Sequence, residues 1–367
     1  MSLRIIATGG HSGLGYEALK TLFASVNLAS GSSLTLLVRD EKASHVERAR
    51  RELTQQYKAA KATAGLSSAS ELTVEVSSMD LASLPSVRKA ASAIKAQLRQ
   101  TPPAPSTGTD IFLLNAAVAK SSRETVADQD RASGSASYPS DHLTSADSRI
   151  ETTACVNHIA HLIFISSLIL TIAENAKNGR KTRIVFTGSA LHRSVKDLAV
   201  LDGYFSASSH ASTSPWTLRE TYAASKFLQM LGVRALRRRI DEALQAASVP
   251  AGSVEVVVVQ PGFVPQTALC RESGLMTRLA MSYVLPWAPF TTSLEDAGKY
   301  IADACTIDLP ASEAGTNKHD GFHSQDTVVR SALLEVHAKK QRFGTLDPRT
   351  GDIELQDKWW PAACELS

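Results

Sequence analysis

The chain begins with an apolar run, a glycine-rich turn and a helix-forming segment in immediate succession. The run from Ile5 to Ala7 suits a buried strand, and helix formers follow the glycines from Tyr16 onward. Glycines let the backbone turn tightly and approach a pyrophosphate, and a helix N-terminus presents unpaired N–H groups with a positive partial charge. The stretch therefore predicts a phosphate-binding βα unit, with an ordinary glycine-rich loop as the alternative. The residues expected to form this site are Thr8, Gly9, His11, Ser12, Gly13, Leu14 and Gly15.

Strand-like and helix-like segments alternate along most of the chain, which predicts an α/β fold with a parallel sheet and helices on both faces. The predicted strands are Ile5 to Ala7, Leu34 to Val38, Leu72 to Val76, Asp110 to Leu114, Arg183 to Thr187 and Val254 to Gln260. The predicted helices include Glu41 to Ala62, Ser83 to Gln100, a buried helix from Ile150 to Ala176, one within Ser214 to Ala247, and one at Leu294 to Thr306.

No internal repeat or shift in composition marks a second domain, so residues 1–367 are expected to form one domain. Within it we expect a polar surface insertion at 119–149, a lid over the substrate at 265–293 and a C-terminal extension at 324–367. The pattern is weaker after Pro261, where it predicts a short strand at Gly321 to His323 and a polar C-terminal helix.

The balance of charge and the number of cysteines exclude several classes of function. Thirty-nine basic and 36 acidic residues leave a net charge of +3, which is too small to indicate a nucleic-acid partner. The four cysteines are scattered and lack metal-ligand spacing, which favours a reducing, cytoplasmic setting and predicts no metal site. We expect no secretory signal and no transmembrane segment, because the most apolar stretch, Ile159 to Ala173, is too short to span a bilayer.

A tyrosine and a lysine lie four residues apart in the segment Tyr222-Ala223-Ala224-Ser225-Lys226. On a helix this spacing places both side chains on one face. A phenol ordinarily titrates near pH 10, and a neighbouring ammonium stabilises the phenolate and lowers that pKa toward neutrality. The pair is suited to proton transfer, although the same spacing also occurs on ordinary helix surfaces.

Six short motifs occur in a fixed order along the chain: Thr8-Gly9-x-x-x-Gly13-x-Gly15, Asn115-Ala116-Ala117, Val156-Asn157-His158, Thr187-Gly188-Ser189, Tyr222-x-x-x-Lys226 and Pro261-Gly262. Each is weak by itself, and the set together resembles the short-chain dehydrogenase/reductase family from about residue 4 to residue 306. The resemblance implies a single Rossmann-type, doubly wound domain with a parallel sheet of about seven strands and a bound nicotinamide dinucleotide.

The resemblance also assigns roles to individual residues. It implies that Tyr222 is the general acid–base, that Lys226 holds the nicotinamide ribose, and that Ser189 hydrogen-bonds the substrate carbonyl. Asn157 would place a water in a proton relay through Lys226. The alternatives are a helix N-cap for Ser189 and a buried, satisfied amide for Asn157. The further cofactor contacts implied are Asp80, Leu81, Asn115, Ala116, Pro261, Gly262, Val264 and Thr267.

The residues after the second predicted strand indicate which cofactor is bound. In a dinucleotide site this strand end meets the adenosine ribose, where an acidic residue binds the 2′-hydroxyl of NAD. Arg39 follows the strand directly, and a guanidinium suits the 2′-phosphate of NADP. Asp40 points to NAD, so NADP(H) is the prediction and NAD(H) the alternative. Asp80 is expected to face the adenine, its alternative being the N-cap of the next helix.

Within the family the motifs look most like the light-dependent protochlorophyllide reductases and the neighbouring retinol-dehydrogenase-like group. The likeness includes Asn157-His158-Ile159-Ala160-His161 and Pro261-Gly262-x-Val264-x-x-Thr267. Leu114 stands where the protochlorophyllide enzymes have a cysteine, and the connection from Ser189 to Tyr222 also differs from theirs.

The expected function is therefore reduction of a ketone or aldehyde on a hydrophobic small molecule, or the reverse oxidation, with a tailoring step of secondary metabolism as its setting. The alternatives are a C=C reductase like the protochlorophyllide enzymes and a non-catalytic dinucleotide-binding sensor or scaffold. By analogy, a homodimer or homotetramer is expected. His192 is expected near the pocket, and His158 and His161 are expected to be packed helix residues.

Overall fold

The computed structural model describes residues 2–25, 32–63, 72–100, 108–126, 150–205, 216–267, 291–309, 331–337, 339–361 and 364. The strands are β1 Ser2–Thr8, β2 Ser33–Val38, β3 Thr73–Ser78, β4 Gly108–Leu114, β5 Thr125–Val126, β6 Ile150–Glu151, β7 Lys181–Thr187, β8 Val254–Gln260, β9 Ser331–His337 and β10 Lys340–Gly344. The helices are α1 Gly13–Ser25, α2 Ser44–Thr63, α3 Leu84–Arg99, α4 Thr152–Ala154, α5 Ala160–Ser166, α6 Ile169–Lys177, α7 Ala199–Phe205, α8 Leu218–Ala246, α9 Leu294–Thr306 and α10 Ile353–Lys358.

Eight strands form one sheet in the order β10-β9-β8-β7-β4-β1-β2-β3. All neighbours pair in parallel except β9 and β10, which pair antiparallel. The order runs outward in both directions from β1 and β4, which is the arrangement of a doubly wound sheet and leaves a crevice at the carboxyl ends of these strands. The predicted fold class is thus confirmed, with an antiparallel eighth strand added at one edge.

The six predicted strands all occur in this sheet, with boundaries shifted by a few residues at most. The seventh parallel strand, β9, and its partner β10 lie in the predicted C-terminal extension and were not predicted. The short strand predicted at Gly321 to His323 lies outside the described residues, as do 127–149 of the predicted insertion and 268–290 of the predicted lid. The only α-helix in the described part of the extension is the six-residue α10, which follows a 3₁₀ turn at Pro348–Gly351.

The buried helix predicted from Ile150 to Ala176 is divided in the structure. It starts as the short strand β6, because the Glu151 carboxylate accepts hydrogen bonds from the N–H groups of Thr153 at 2.8 Å and Ala154 at 2.7 Å. A π-helical turn at Cys155–Ile159 follows α4, and the chain bends between α5 and α6. The prediction of one continuous helix was therefore wrong, although every residue from Thr152 to Ser166 is buried as expected.

At the opposite end of the sheet from the crevice, a buried carboxylate holds two arginines. Asp110 on β4 accepts from Arg4 Nε at 2.9 Å and Nη2 at 2.6 Å, and from Arg180 Nε at 2.6 Å. All three residues are buried. This cluster joins β1, β4 and the residue before β7 where the strands begin.

The chain from Thr345 to Pro361, here called the C-terminal segment, packs against α8 and the π-helical turn. His158 Nε2 lies 3.5 Å from the carbonyl oxygen of Trp359, and the Arg239 guanidinium lies 4.0 Å from the Trp360 ring centroid. Arg238 forms an ion pair with Asp357 at 2.7 Å. The C-terminal segment therefore covers helices that also carry predicted site residues.

No single helix among the described residues is long and apolar enough to cross a membrane, and one bent pair, Thr152–Ser166 with Ile169–Lys177, meets that test by length and composition only.

Candidate active site

The glycine loop between β1 and α1, residues 9–15, has a backbone that side chains would strain or obstruct, and it is here called the cradle. Gly9 and Gly13 have φ values of +63° and +55°, which L side chains rarely adopt. At Gly15 an added Cβ would lie 2.6 Å from Asn115 Nδ2 and closer still to the carbonyl oxygen of Gly9. Glycine is therefore required here by the close approach of the loop to the end of β4. His11 Nδ1 in the same loop is buried and makes no hydrogen bond within the described part of the chain.

A chain of hydrogen bonds joins the carboxyl ends of three adjacent strands. Thr8 Oγ1 accepts from the backbone N–H groups of Asn115 at 3.0 Å and Ala116 at 3.2 Å. The Asn115 side chain donates to the Gly9 carbonyl at 3.3 Å and accepts from Thr187 Oγ1 at 3.0 Å. The end of β7 is thereby connected through the end of β4 to the glycine loop.

Thr8 also determines the state of a buried histidine on α5. Since its hydroxyl oxygen already accepts two N–H groups, its own proton is directed to His161 Nε2, which lies 3.0 Å away. Complete burial lowers the pKa of His161 to about 3, so the ring is neutral and accepts this bond. His161 is accordingly a packed residue that fixes the end of β1, as the sequence indicated.

Tyr222 and Lys226 lie one turn apart near the start of α8, whose first turn is capped by Thr217. The Lys226 ammonium is 5.7 Å from the centroid of the Tyr222 ring. Its Nζ donates to the Thr187 carbonyl at 2.9 Å and to Gln229 Oε1 at 3.1 Å. Burial lowers the pKa of Lys226 to about 7. The pair predicted from its spacing is thus a buried pair and not part of an exposed helix face.

Asn157 lies in the π-helical turn, with its side chain fully bonded. Its Oδ1 accepts from the Val118 N–H at 2.8 Å, and its Nδ2 donates to the Val118 carbonyl at 2.8 Å and to Ser225 Oγ at 3.0 Å. The arrangement matches a buried, satisfied amide, and it also connects the turn after β4 to α8 between Tyr222 and Lys226. A role in a water relay stays a prediction.

Ser189 follows β7 and is partly exposed. Its Oγ accepts from the Leu191 N–H at 3.3 Å, so it caps the 3₁₀ turn Ala190–Ser194. This is the helix N-cap given above as the alternative for Ser189. The residue lies beyond the carboxyl end of β7, two residues after Thr187. His192, in the same turn, is completely buried.

The loop after β2 exposes both residues on which the choice of cofactor depends. Asp40 Oδ1 accepts from the Lys42 N–H at 2.9 Å and so stabilises the turn before α2, while the Arg39 side chain is exposed. The rings of His11 and His45 lie 5.3 Å apart beside this turn, and burial together with the charge of His45 lowers the pKa of His11.

Asp80 and Leu81 follow β3, where the sequence placed them. Asp80 does not cap α3: Ser83 does, accepting from the Ser86 N–H at 3.4 Å. Asp80 Oδ1 instead accepts from the Ala82 N–H at 2.9 Å. The N-cap alternative for Asp80 was therefore wrong. The Leu81 carbonyl accepts from Cys155 Sγ at 3.3 Å.

The turn after β8 contains the last group of predicted cofactor residues. Gly262 follows Pro261 with φ +88°, and a Cβ there would collide with Thr292 Oγ1. Thr267 Oγ1 donates to the Val264 carbonyl at 3.2 Å. The turn lies at the carboxyl end of β8, adjacent to the end of β7.

Sequence reasoning assigned no role to Thr187 or to Gln229, although both hold Lys226. Gln229 follows Lys226 by three residues on the same helix, so the i, i+3 relation was a usable signal. The Thr187 contact uses a backbone carbonyl across the sheet, which no spacing along the sequence indicates. Among the described residues, no group of three or more His, Cys, Asp or Glu side chains could hold a metal ion.

Comparison with known proteins finds proteins that are similar to this chain in structure. No family model and no curated protein matches the sequence. The structure is similar to that of an uncharacterised protein from Mycobacterium paratuberculosis, with TM-score 0.51 and 18% identity over 100% of this chain and 92% of that one. It is also similar to the NADP active-site complex of RhlG from Pseudomonas aeruginosa, with TM-score 0.51 and 16% identity over 91% of this chain and 94% of that one. The fold is shared with both. At these identities the likeness concerns the fold alone.

Proposed function

We propose that the chain is an NADP(H)-dependent oxidoreductase of the short-chain dehydrogenase/reductase family, which reduces the carbonyl group of a hydrophobic small molecule or catalyses the reverse oxidation. The observation that carries this proposal is the position of Thr187. Its hydroxyl is bonded to the side chain that supports the glycine loop, its carbonyl holds Lys226, and Ser189 follows two residues later. One strand end thus connects a phosphate cradle to a set of proton-transfer residues.

The residues of the crevice fit a dinucleotide. Gly9 and Gly15 let the loop pack closely against the end of β4, Gly13 faces open space, and α1 begins at Gly13, so its N-terminal N–H groups are available to a phosphate. The buried, unbonded Nδ1 of His11 supplies a polar atom that a ligand can satisfy. The other residues proposed to hold the cofactor are Thr8, Ser12, Leu14, Arg39, Asp80, Leu81, Asn115, Ala116, Tyr222, Lys226, Pro261, Gly262, Val264 and Thr267.

The chemistry follows from the charge that develops on the substrate. When bound, NADPH supplies a hydride to the carbonyl carbon, which leaves negative charge on the oxygen. Tyr222 donates its phenolic proton to that oxygen, and Ser189 donates a hydrogen bond to it. A protonated Lys226 stabilises the phenolate that remains on Tyr222. Since burial brings the pKa of Lys226 to about 7, it can lose and regain a proton at neutral pH, as a relay requires.

The cofactor preference rests on Arg39. The Asp40 carboxylate accepts from the Lys42 N–H, whereas Arg39 is exposed directly after β2 and its guanidinium suits a 2′-phosphate bound there. We expect Arg39→Leu to raise the KM for NADPH about 10- to 100-fold, the size of a charge-assisted pair, while the KM for NADH stays within about twofold. A wild-type preference for NADH would overturn this assignment.

A panel of hydrophobic ketones and aldehydes, assayed by NADPH oxidation in the dark, tests the function itself. Tyr222→Phe should lower kcat by about 10²- to 10⁴-fold, because it removes the proton donor, and should weaken NADPH binding far less than it lowers kcat. Tyr300→Phe is a matched control: Tyr300 has the same 9% exposure as Tyr222, and its hydroxyl donates to the Lys339 carbonyl.

Each outcome separates the candidates. Full turnover by Tyr222→Phe refutes the proposed mechanism. Turnover only under illumination with a tetrapyrrole favours the C=C reductase, whose motifs this chain resembles. Tight NADPH binding with no turnover of any substrate favours a sensor or scaffold, against which the retention of Ser189, Tyr222 and Lys226 argues.

A further inference from the structure

His192 is a completely buried histidine whose two ring nitrogens are both engaged. It lies three residues after Ser189, in the 3₁₀ turn that follows β7. Its Nδ1 is 2.8 Å from the Ser189 carbonyl oxygen and 3.2 Å from the side-chain amide of Gln260 on β8, and its Nε2 is 3.3 Å from the Asp347 backbone nitrogen. The 3₁₀ turn Ala190–Ser194 with its cap Ser189 is here called the Ser189 turn. The His192 side chain therefore connects this turn to the C-terminal segment, about 150 residues later in the sequence.

The chemistry of the two contacts determines which tautomer is present. A carbonyl oxygen only accepts, so Nδ1 carries the proton and donates to Ser189. The Gln260 amide satisfies this tautomer when its Oε1, which has no hydrogen-bond partner among the described residues, faces Nδ1 in place of its Nε2. A backbone N–H only donates, so Nε2 is unprotonated and accepts from Asp347. Both bonds are satisfied together only by the neutral imidazole with its proton on Nδ1. Burial, the largest influence on this ring, lowers its pKa to about 4 and so keeps it neutral at assay pH.

The C-terminal segment is itself firmly attached at this point. The Asp347 carboxylate accepts from the Arg349 side chain at 2.6 Å and from the Arg349 N–H at 3.0 Å. The same guanidinium donates to the Val195 carbonyl at 2.6 Å, directly after the Ser189 turn. It also lies 5.2 Å from the ring centroid of Phe227, the residue that follows Lys226. The turn from Asp347 to Gly351 thus contacts both the Ser189 turn and the helix of Tyr222 and Lys226.

We propose that His192 is a positioning residue for Ser189, and that it transmits to the reaction site the attachment made by the C-terminal segment at Asp347 and Arg349. The inference rests on the proposed function, since it assumes that Ser189 contacts the substrate oxygen. His192 touches no reacting atom. Its bond to the Ser189 carbonyl holds the peptide that carries the Oγ, and a catalytic donor displaced by about 1 Å can cost about 10²-fold in rate.

Three substitutions separate the two bonds of His192. In His192→Asn the amide NH₂ replaces Nδ1 and can still donate to Ser189, but the side chain is too short to reach Asp347. His192→Gln places its amide near the position of Nε2 and loses the bond to Ser189. His192→Leu removes both, together with the contact to Gln260. We expect kcat to fall about 10- to 100-fold in the leucine and glutamine variants and less than about fivefold in the asparagine variant, with the Kd for NADPH unchanged in all three.

A double-mutant cycle with Ser189→Ala distinguishes positioning from general destabilisation. If His192 acts through Ser189, then His192→Leu lowers kcat strongly in the wild type and by less than about twofold in the Ser189→Ala background. Equal losses in both backgrounds overturn the proposal. Gln356→Leu serves as the control, because Gln356 is a buried residue of the C-terminal segment that bonds Thr350 and Arg238 and not the Ser189 turn. It should lower stability and preserve kcat.

Amide hydrogen exchange provides a readout that needs no substrate. In the ligand-free protein, His192→Leu should speed exchange in peptides covering 187–196 and 345–351, and leave the α8 peptides from 228 to 240 unchanged. Unchanged exchange in 187–196 would show that His192 does not hold the Ser189 turn against the C-terminal segment, and would overturn the proposal. Absence of any carbonyl reduction by the wild type refutes the proposed function and the catalytic consequence together. An active wild type with an additive cycle refutes only the role of His192.

Discussion

Replacing Lys226 with methionine should change how the stability of the ligand-free protein depends on pH. The Lys226 side chain is 1% exposed, and burial brings its pKa to about 7 in the native state. In the unfolded chain a lysine titrates near about 10.4. Between these two pH values the unfolded state binds one proton that the native state does not, so the native state gains stability as the pH rises. Below pH 7 Lys226 is protonated in both states, and the cost of burying its ammonium group no longer changes with pH.

The magnitude follows from the two pKa values. Each unit of difference is worth about 1.4 kcal/mol, and integration from pH 7 to pH 9 gives a gain of about 2 kcal/mol for the wild type. Methionine has a side chain of similar length and does not titrate. It also leaves the Thr187 carbonyl and Gln229 Oε1 without the Nζ donor, at about 1–3 kcal/mol each. That loss lowers the free energy of unfolding of the variant by the same amount at every pH, so it does not change how steeply its stability depends on pH.

Urea unfolding of both proteins at pH 7, 8 and 9 measures the effect, because all other titrating groups cancel in the difference. The free energy of unfolding of the wild type should rise by about 2 kcal/mol relative to Lys226→Met over this range. Lys20→Met, at an exposed lysine, should show no such divergence. Curves for the wild type and Lys226→Met that remain parallel to within about 0.5 kcal/mol would show that the ammonium is not desolvated, and would refute the reasoning.

Two further substitutions test the cradle and the buried ion cluster. Gly15→Ala places a Cβ 2.6 Å from the Asn115 amide and closer still to the Gly9 carbonyl oxygen. Such overpacking costs about 1–3 kcal/mol. We therefore expect NADPH binding, measured by fluorescence titration, to weaken about 10- to 100-fold. Unaltered binding would mean that the loop does not approach β4. Asp110→Ala leaves two buried guanidinium groups without their shared carboxylate and should cost about 3–5 kcal/mol by urea unfolding. The control Glu47→Ala removes an exposed, solvent-screened ion pair and should leave the stability nearly unchanged. A loss below about 1 kcal/mol for Asp110→Ala would show that the arginines find other partners.

Two elements, β8 and α9, were predicted with the boundaries that the structure has. Strand β8 is the run Val254–Gln260, and all seven of its residues are buried between two parallel neighbours. Helix α9 was also predicted residue for residue, because Ser293 caps it by accepting from the Asp296 N–H, and acidic residues follow in its first turn. In both cases the local signal and the tertiary environment favour the same structure.

Strand β9 shows why the rest was missed. Its sequence, Ser331-Ala-Leu-Leu-Glu-Val-His, contains strong helix formers, and no strand was predicted there. Pairing with the buried strand β8 makes it a strand instead, and this partner lies about 75 residues earlier in the chain. The π-helical turn at Cys155–Ile159 was missed for a similar reason. Neither proline nor glycine marks it, and the side chain of Asn157 is held there by the backbone of Val118, which is distant in sequence.

The candidate site was predicted in its residue types and not in its contacts. The spacing of Tyr222 and Lys226 sufficed to place them together, because helix geometry is local. The bond from Lys226 to the Thr187 carbonyl, and the chain from Thr187 through Asn115 to Gly9, depend on the register of parallel strands. Register is a property of the sheet, so it became available only with the structure.

The C-terminal segment also bears on the predicted dimer or tetramer, which stays a prediction. Helix α5 and residues 221–237 of α8 are buried throughout within a single chain. Pairing of two chains through the face of α8 that carries Arg238 and Arg239 would have to displace the C-terminal segment and expose Trp359 and Trp360, which are now about 95% buried. The same displacement would break the bond from Asp347 to His192. If His192 positions Ser189, a dimer built on this face of α8 should lose the catalytically competent Ser189 turn, and we expect an active homo-oligomer to associate through a different surface.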